Sequence, residues 1–536
     1  MTELKNVKPE NGPNDANEPA DFEKAITESG FGLFNFILVA AALPSCFATV
    51  YETSTMSYIL PSAECDLKLS LFDKGVLNAI TYAGMISSAI FWGYAADTFG
   101  RKKLLAQGFL SNVICVTGCV LAQNIYVLMF FKYFGGFIIC GPFAVLMSYV
   151  TEFHGVKYRS RIMMAMGMFF TIATFFLPLI AWAILPQFWR YEFFGGYLVI
   201  NNWRIFLAVC GLPNLLGGLA MLYLPESPKF LMSQGRNSEA LEVFKWVYAC
   251  NTRKSADEYP IKELTQEVPQ KIVFDKSSTN DDIKLKISTL ADSLMDGLRQ
   301  LKPMFQKPYL GHTIHVYTIQ FFILMGQNTV RLWLPQLFTS IANYIEANDN
   351  STNPDENSNL CSMLEYNVNL TNQHISETEL TTCEVKISDE MYVNTMTVAL
   401  SGIGGYLVAG GLINAMGQKW ILVFGLLISG SSGIILYWAK DSLATLILTA
   451  TYVTVGSISS TALLGVTVSL FPTSLRTMIV SLAMMFGRLG ALIGNLLFPI
   501  FMTLGCIPPF LLVGSVMWVG SFLCLMLPQT HKNALK

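Results

Sequence analysis

The sequence predicts an all-α membrane protein of 12 transmembrane helices in two six-helix halves, and three observations carry that prediction. Apolar residues make up 52% of the 536-residue chain and charged residues only 13%, too little charge to cover the several soluble domains such a length would otherwise imply. Apolar runs of about 20 residues, enough to cross a bilayer, recur throughout. Lysine and arginine collect in alternate connections: 101–103, 157–161, 225–309, Lys419 and Arg476 fall on one side, the cytoplasmic one by the positive-inside rule.

The elements follow in order. Residues 1–30 are polar and acidic, without the basic-then-apolar pattern of a cleavable signal, and read as a disordered cytoplasmic tail. Six spans occupy roughly 31–60, 74–96, 104–123, 127–151, 162–186 and 203–224, the N-terminal half of 31–224. The interval 225–309 mixes acids and bases, and 236–250 has helical apolar spacing, so a cytoplasmic linker with short amphipathic helices is expected. Six more spans lie at about 310–340, 392–416, 419–439, 443–470, 477–500 and 505–527, the C-terminal half of 310–527, followed by a short cytoplasmic tail, 528–536. Both termini are expected in the cytoplasm, in a multi-pass protein of the vesicle or plasma membrane. Nothing suggests nucleic-acid binding, and the chain shows no nucleophile–base set, metal-ligand cluster or phosphate loop. No cofactor is expected, nor an enzyme.

Charged residues inside apolar runs are functional candidates, because a charge facing lipid is costly. Glu52 lies deep in the first span. It is either held neutral or paired for packing, or it is a proton-responsive group facing a cavity. Arg331 and Arg488 are the second half's buried cations; each faces the cavity or a counter-charge, with Glu52 the nearest candidate partner by type, or else snorkels to an interface, Arg331 more readily than Arg488. Trp182 closes the fifth span as either an interfacial indole or an aromatic cavity wall. Glu152 ends the fourth span just ahead of His154, Lys157, Arg159 and Arg161. It pairs either with one of these or with the cluster at Arg101, unless it is simply solvated.

The stretch Gly93-Tyr-Ala-Ala-Asp97-Thr-Phe-Gly100-Arg101-Lys102-Lys103 resembles the G-x-x-x-D-R-x-G-R-K signature of the major facilitator superfamily, with Thr98 where that family has a cation. The resemblance implies the major facilitator fold and a cytoplasmic gate held by Asp97, Arg101 and Glu152. Gly411 to Lys419 echoes the signature in the second half, with Asn414 in place of the acid, as duplicated halves enclosing a central site would. Pro225-Glu-Ser-Pro-Lys-Phe-Leu231 is similar to a sequence shared by sugar porters, organic ion transporters and synaptic vesicle glycoprotein 2 proteins. Asn202 to Cys210, Leu60 to Glu64 and Ala181 to Ile184 narrow the resemblance to synaptic vesicle glycoprotein 2 and its relatives. These carry a carboxylate at the Glu52 position, a tryptophan at Trp182 and a cation at Arg488. The chain departs where that family's tenth helix offers a tryptophan and an aspartate; here stand Ser460 and Leu464.

Residues 341–390 form the long exocytoplasmic connection, placed as in synaptic vesicle glycoprotein 2. Asn350 and Asn369 head glycosylation sequons, and Cys361 and Cys383 share the oxidising side, where a disulfide is expected. The implied function is alternating-access transport of a small organic solute, with Glu52, Trp182, Arg331 and Arg488 at the site. The alternative is a membrane receptor that binds a lumenal protein partner through 341–390.

Overall fold

The structure, a computed structural model, describes residues 19–266, 302–348, 360, 363–364, 388–471, 473–505 and 507–528. Twelve long helices stand among them: α2 (Leu33–Leu67), α3 (Leu71–Phe99), α4 (Arg101–Leu121), α5 (Ile125–Glu152), α6 (Val156–Ile184), α7 (Asn202–Tyr223), α10 (Leu310–Asn348), α11 (Asp389–Met416), α12 (Gln418–Ile435), α13 (Ser442–Leu470), α14 (Thr473–Thr503) and α15 (Ile507–Leu525). The predicted all-helical architecture holds. Over the described residues, ten of these helices are long and apolar enough to cross a membrane. Both α3 and α10 carry polar residues along their length, Asn78, Thr81 and Ser88 on the first and Gln320, Gln327, Asn328 and Arg331 on the second. Both pack against α14, and α10 also against α2, so their polar faces meet protein and not lipid.

Local chemistry sets where the helices break. Ser70 and Asp73 form a reciprocal capping box at the start of α3, and Asn124 and Asp441 cap α5 and α13. The breaks before α4 and α12 are glycines of matching conformation: Gly100 at φ 93°, ψ 155° and Gly417 at φ 78°, ψ 158°. That match sits where the sequence repeats its motif. Side by side, α3 and α5 approach through Gly84 and Gly136, where an added Cβ would lie 2.1 Å from the Tyr133 and Thr81 carbonyls respectively.

Residues 22–28, expected to belong to a disordered tail, instead form helix α1 (Phe22–Glu28), capped by Asp21. Its apolar face, Phe22, Ala25 and Ile26, is buried with Leu231 and Met232 of α8 (Pro228–Ser233) and Ala240 and Phe244 of α9 (Asn237–Thr252). A tail with an apolar stripe and a receiving surface has reason to order. The connection between α6 and α7 holds an antiparallel hairpin, β1 (Arg190–Phe193) and β2 (Leu198–Asn201), turning through Gly195 and Gly196 at positive φ.

The end of the bundle carrying Arg101 to Lys103 is the basic end below, and the opposite one, where α10 leads towards 349–387, the loop end. At the loop end Leu360, Met363 and Leu364 are buried, and the Leu360 amide donates to the Ala439 carbonyl at 2.8 Å.

Candidate functional site

Among the described residues the two halves meet chiefly along three helix pairs, α2 with α10, α3 with α14 and α6 with α11. At the loop end this contact is tight: a Cβ on Gly75 of α3 would lie 2.5 Å from Pro499 Cγ and 2.7 Å from the Asn495 carbonyl of α14. Trp182 closes the third pair. Its Nε1 donates to Asp389 Oδ1 of α11 at 2.8 Å. It thus stands at the loop-end joint, with 38% of its surface exposed.

Arg331 and Arg488 both reach from the C-terminal half into the N-terminal half. Arg331 donates to Ser54 Oγ at 3.0 Å, to Tyr82 Oη at 3.2 Å and to Asn328 Oδ1 in its own helix at 2.9 Å. Arg488 donates to Cys140 Sγ at 3.1 Å and lies 5.8 Å from the Phe143 ring centroid. In the C-terminal half, Gln320 donates to Ser460 Oγ at 3.3 Å and Gln327 to Ser457 Oγ at 2.5 Å. Position 460, where a family tryptophan or aspartate was looked for, therefore supplies a small hydroxyl.

Glu52 pairs with neither arginine, which corrects the expectation drawn from residue type. Its Oε1 accepts from Lys132 Nζ at 2.8 Å, with both side chains 3% exposed. Lys132 Nζ also reaches the Glu52 carbonyl at 3.2 Å and Thr55 Oγ1 at 3.4 Å. Glu52 Oε2 accepts from Asn112 Nδ2, which is also 3.0 Å from Asn214 Oδ1. Glycine makes room for this: a Cβ on Gly135 would lie 2.7 Å from Glu52 Oε1. Four helices, α2, α4, α5 and α7, thus converge on one compensated ion pair inside the N-terminal half.

At the basic end the family motifs form one knot. Glu226 Oε1 accepts from the backbone amides of Arg101, Lys102 and Ser227 at 2.8, 3.0 and 3.0 Å. It thereby caps the positive end of α4 with a carboxylate, where unpaired amides and helix dipole both favour one. Glu152 lies 3.7 Å from Arg101 Nε and accepts from the Ser227 hydroxyl. Tyr149 Oη donates to the Pro225 carbonyl at 2.5 Å, and Arg101 lies over the Phe230 ring at 5.0 Å. Arg159 does not join this knot: it pairs with Glu23 of α1 at 2.7 Å and donates to the Thr151 and His154 carbonyls. The side chains of Gly93 and Asp97 lie outside the described residues, as do Asn350, Cys361, Asn369 and Cys383.

Gly100 is where the knot is least tolerant. Its φ of 93° is left-handed, and a Cβ would lie 2.5 Å from Glu226 Oε2. Gly100→Ala is expected to lose about 1–3 kcal/mol of stability from backbone conformation alone. Unfolding midpoints in detergent would show it, and a midpoint equal to wild type would remove Gly100 from the knot.

Sequence reading passed over Lys132, Asn112, Asn214 and Ser227 as site members, and read Glu226 only as a carboxylate able to meet basic groups on the cytoplasmic face. A signal existed for Lys132, since its predicted span bounds put it at a depth similar to that of Glu52, measured from the same end. For Asn112 and Asn214 no sequence signal beyond a lone amide in an apolar run was present.

Residues 31–341 match the family described as sugar (and other) transporter, and residues 356–536 match the Major Facilitator Superfamily. Rat synaptic vesicle glycoprotein 2B is 31% identical over 233 residues, 43% of this chain and 34% of that protein. Human synaptic vesicle glycoprotein 2C is 27% identical over 321 residues, 59% of this chain and 44% of the relative. The chain therefore matches less than half the length of these relatives. Among solved structures, the D-xylose-proton symporter shares the fold with a TM-score of 0.61 at 14% identity, over 93% of this chain and 99% of that one. The xylose transporter XylE from E. coli in an inward open conformation gives 0.62 at 13% identity, over 94% and 98%. The chain belongs to the sugar (and other) transporter family of the major facilitator superfamily.

Proposed function

We propose that this protein moves a small organic solute across a membrane by alternating access, with its site between the halves and the basic end in the cytoplasm. The observation that carries the reading is the placement of Arg331 and Arg488. Both project from one half onto the other at mid-span, where polar contacts between two rigid bodies can be exchanged for contacts to a solute. The loop-end contacts of Gly75 and Trp182 support an arrangement closed on that side.

Glu52 is the proton-linked group in this reading. It is the only carboxylate more than six residues from the end of any described span. Protonating it would dissolve the ion pair, leaving Lys132 to the Glu52 carbonyl and Thr55, and would loosen the junction of α2, α4, α5 and α7. Glu52→Gln keeps the shape and an acceptor for Asn112 while removing the carboxylate charge. It is expected to make uptake into proteoliposomes insensitive to an imposed pH gradient that drives the wild type. Uptake by the variant with the wild-type pH response would remove Glu52 from coupling.

A further inference from the structure

Charge within the spans does not balance. Among the described spans, the Asp, Glu, Lys and Arg side chains more than six residues from a helix end are Glu52, Lys132, Arg331 and Arg488. Lys132 consumes Glu52, so three cations against one acid leave a net charge of +2. That surplus sits wholly on the two arginines that face the other half. Their partners among the described residues are all neutral: Ser54, Tyr82 and Asn328 for Arg331, and Cys140 with the Phe143 ring for Arg488. Arg488 is the less satisfied of the two. A guanidinium presents five N–H donors in a fork matched to carboxylate and phosphate, and among the described residues its one hydrogen-bond acceptor is a sulfur.

The cations are arranged along the bundle axis. Gly487 packs against Gln320 and Leu324, Gly490 against Phe321 and Gly494 against Thr329, so α10 and α14 run parallel in this register. Arg488 is then level with residues near 322 of α10. Arg331 lies about nine residues nearer the loop end, roughly 13 Å at the helical rise. Acceptors stand beside them. Gln320 Oε1 and Gln327 Oε1 are buried with no hydrogen-bond partner, while their amides are held by Ser460 and Ser457. Unpaired amide carbonyls at such depth suit hydroxyl donors.

We propose that the solute is a small hydroxylated organic anion, its carboxylate or phosphate bound first by Arg488 and passed along the axis to Arg331, its hydroxyls received by Gln320 and Gln327. A neutral solute would leave the double positive charge uncompensated, and an organic cation would add to it. This assignment rests on the transport reading and narrows it to a substrate class.

The test uses the full chain, with unfolding midpoints in nanodiscs and uptake into proteoliposomes, against gluconate, glucuronate, glucose 6-phosphate, glucose and choline. At least one of the three anions is expected to raise the midpoint and to be taken up, while glucose and choline do neither. Arg488→Gln and Arg331→Gln are each expected to weaken anion binding by about tenfold or more, without lowering the unliganded midpoint, and Arg488→Lys to keep part of it. Stabilisation by glucose or choline that persists in both glutamine variants, or none by any of the anions, overturns the anion assignment. Uptake of glucose or choline would still leave alternating access standing. Anion stabilisation lost in the glutamine variants, but without uptake by wild type, supports the anion site and overturns transport.

Discussion

Replacing Lys132 with methionine is expected to cost about 3–5 kcal/mol of stability, the penalty for stripping one partner from a buried ion pair. The loss does not come from the attraction between the charges alone. Lys132 and Glu52 are each 3% exposed, so the carboxylate left behind has neither water nor a cation. Asn112 would be its one remaining side-chain donor. The orphaned charge would either be neutralised by a proton or draw α2 away from α5, where Gly135 lets the carboxylate lie against the helix. Removing both charges, in Lys132→Met with Glu52→Gln, should restore most of the midpoint, because the pair's formation roughly offsets its own desolvation. Unfolding midpoints of the two single variants and the double variant in the same detergent give the cycle. A double variant as unstable as Lys132→Met alone would mean that the pair is not the unit that matters, and that Lys132 acts through Thr55 or the Glu52 carbonyl.

That pair also marks where sequence reading stopped. The twelve spans were legible because a hydrocarbon layer admits few backbone solutions, and each needs a long apolar run. The breaks were legible too: Gly100 and Gly417 stand in matching motif positions, and a glycine before a basic cluster has a conformational reason. Partners were not. Glu52 and Lys132 are separated by 80 residues, Arg331 and Ser54 by 277, and Trp182 and Asp389 by 207. Matching charges by type joined Glu52 to an arginine of the other half, because residue type carries no direction around a helix. Glu226 shows the complementary failure. A carboxylate beside a basic cluster suggests side-chain pairing, but its main work is on the backbone amides of Arg101 and Lys102, which exist in any sequence. Trp182 was readable as a helix-end indole, yet its acceptor belongs to a helix that begins beyond the long loop. The second-half echo inverts the first: Lys419 donates to the Leu525 and Leu527 carbonyls at the end of α15. A cation there meets a helix C-terminus where the first half set an anion on an N-terminus.

Gly75→Trp is expected to abolish most transport while leaving the protein folded. Gly75 lies in the second turn of α3, where its missing side chain lets the helix rest on Pro499 and the Asn495 carbonyl. An indole cannot fit into a space already closed to a Cβ, and overpacking of this kind costs about 1–3 kcal/mol. In a single rigid core that strain would appear as lost stability. Here the contact lies between the halves, which can relieve it by separating at the loop end. The same 1–3 kcal/mol then acts on the balance between conformations and shifts it by roughly 5- to 150-fold toward opening on that side. Uptake should fall about tenfold or more, with little change in the unfolding midpoint. Hydrogen exchange should rise in the loop-end turns of α3 and α14 and near the joint of Trp182 with Asp389, because one rotation opens all of these contacts. A lower midpoint with unchanged exchange at Trp182 would show that the strain is absorbed locally and that the halves do not separate as units. Normal uptake would show that closure of α3 on α14 is not a step in the cycle.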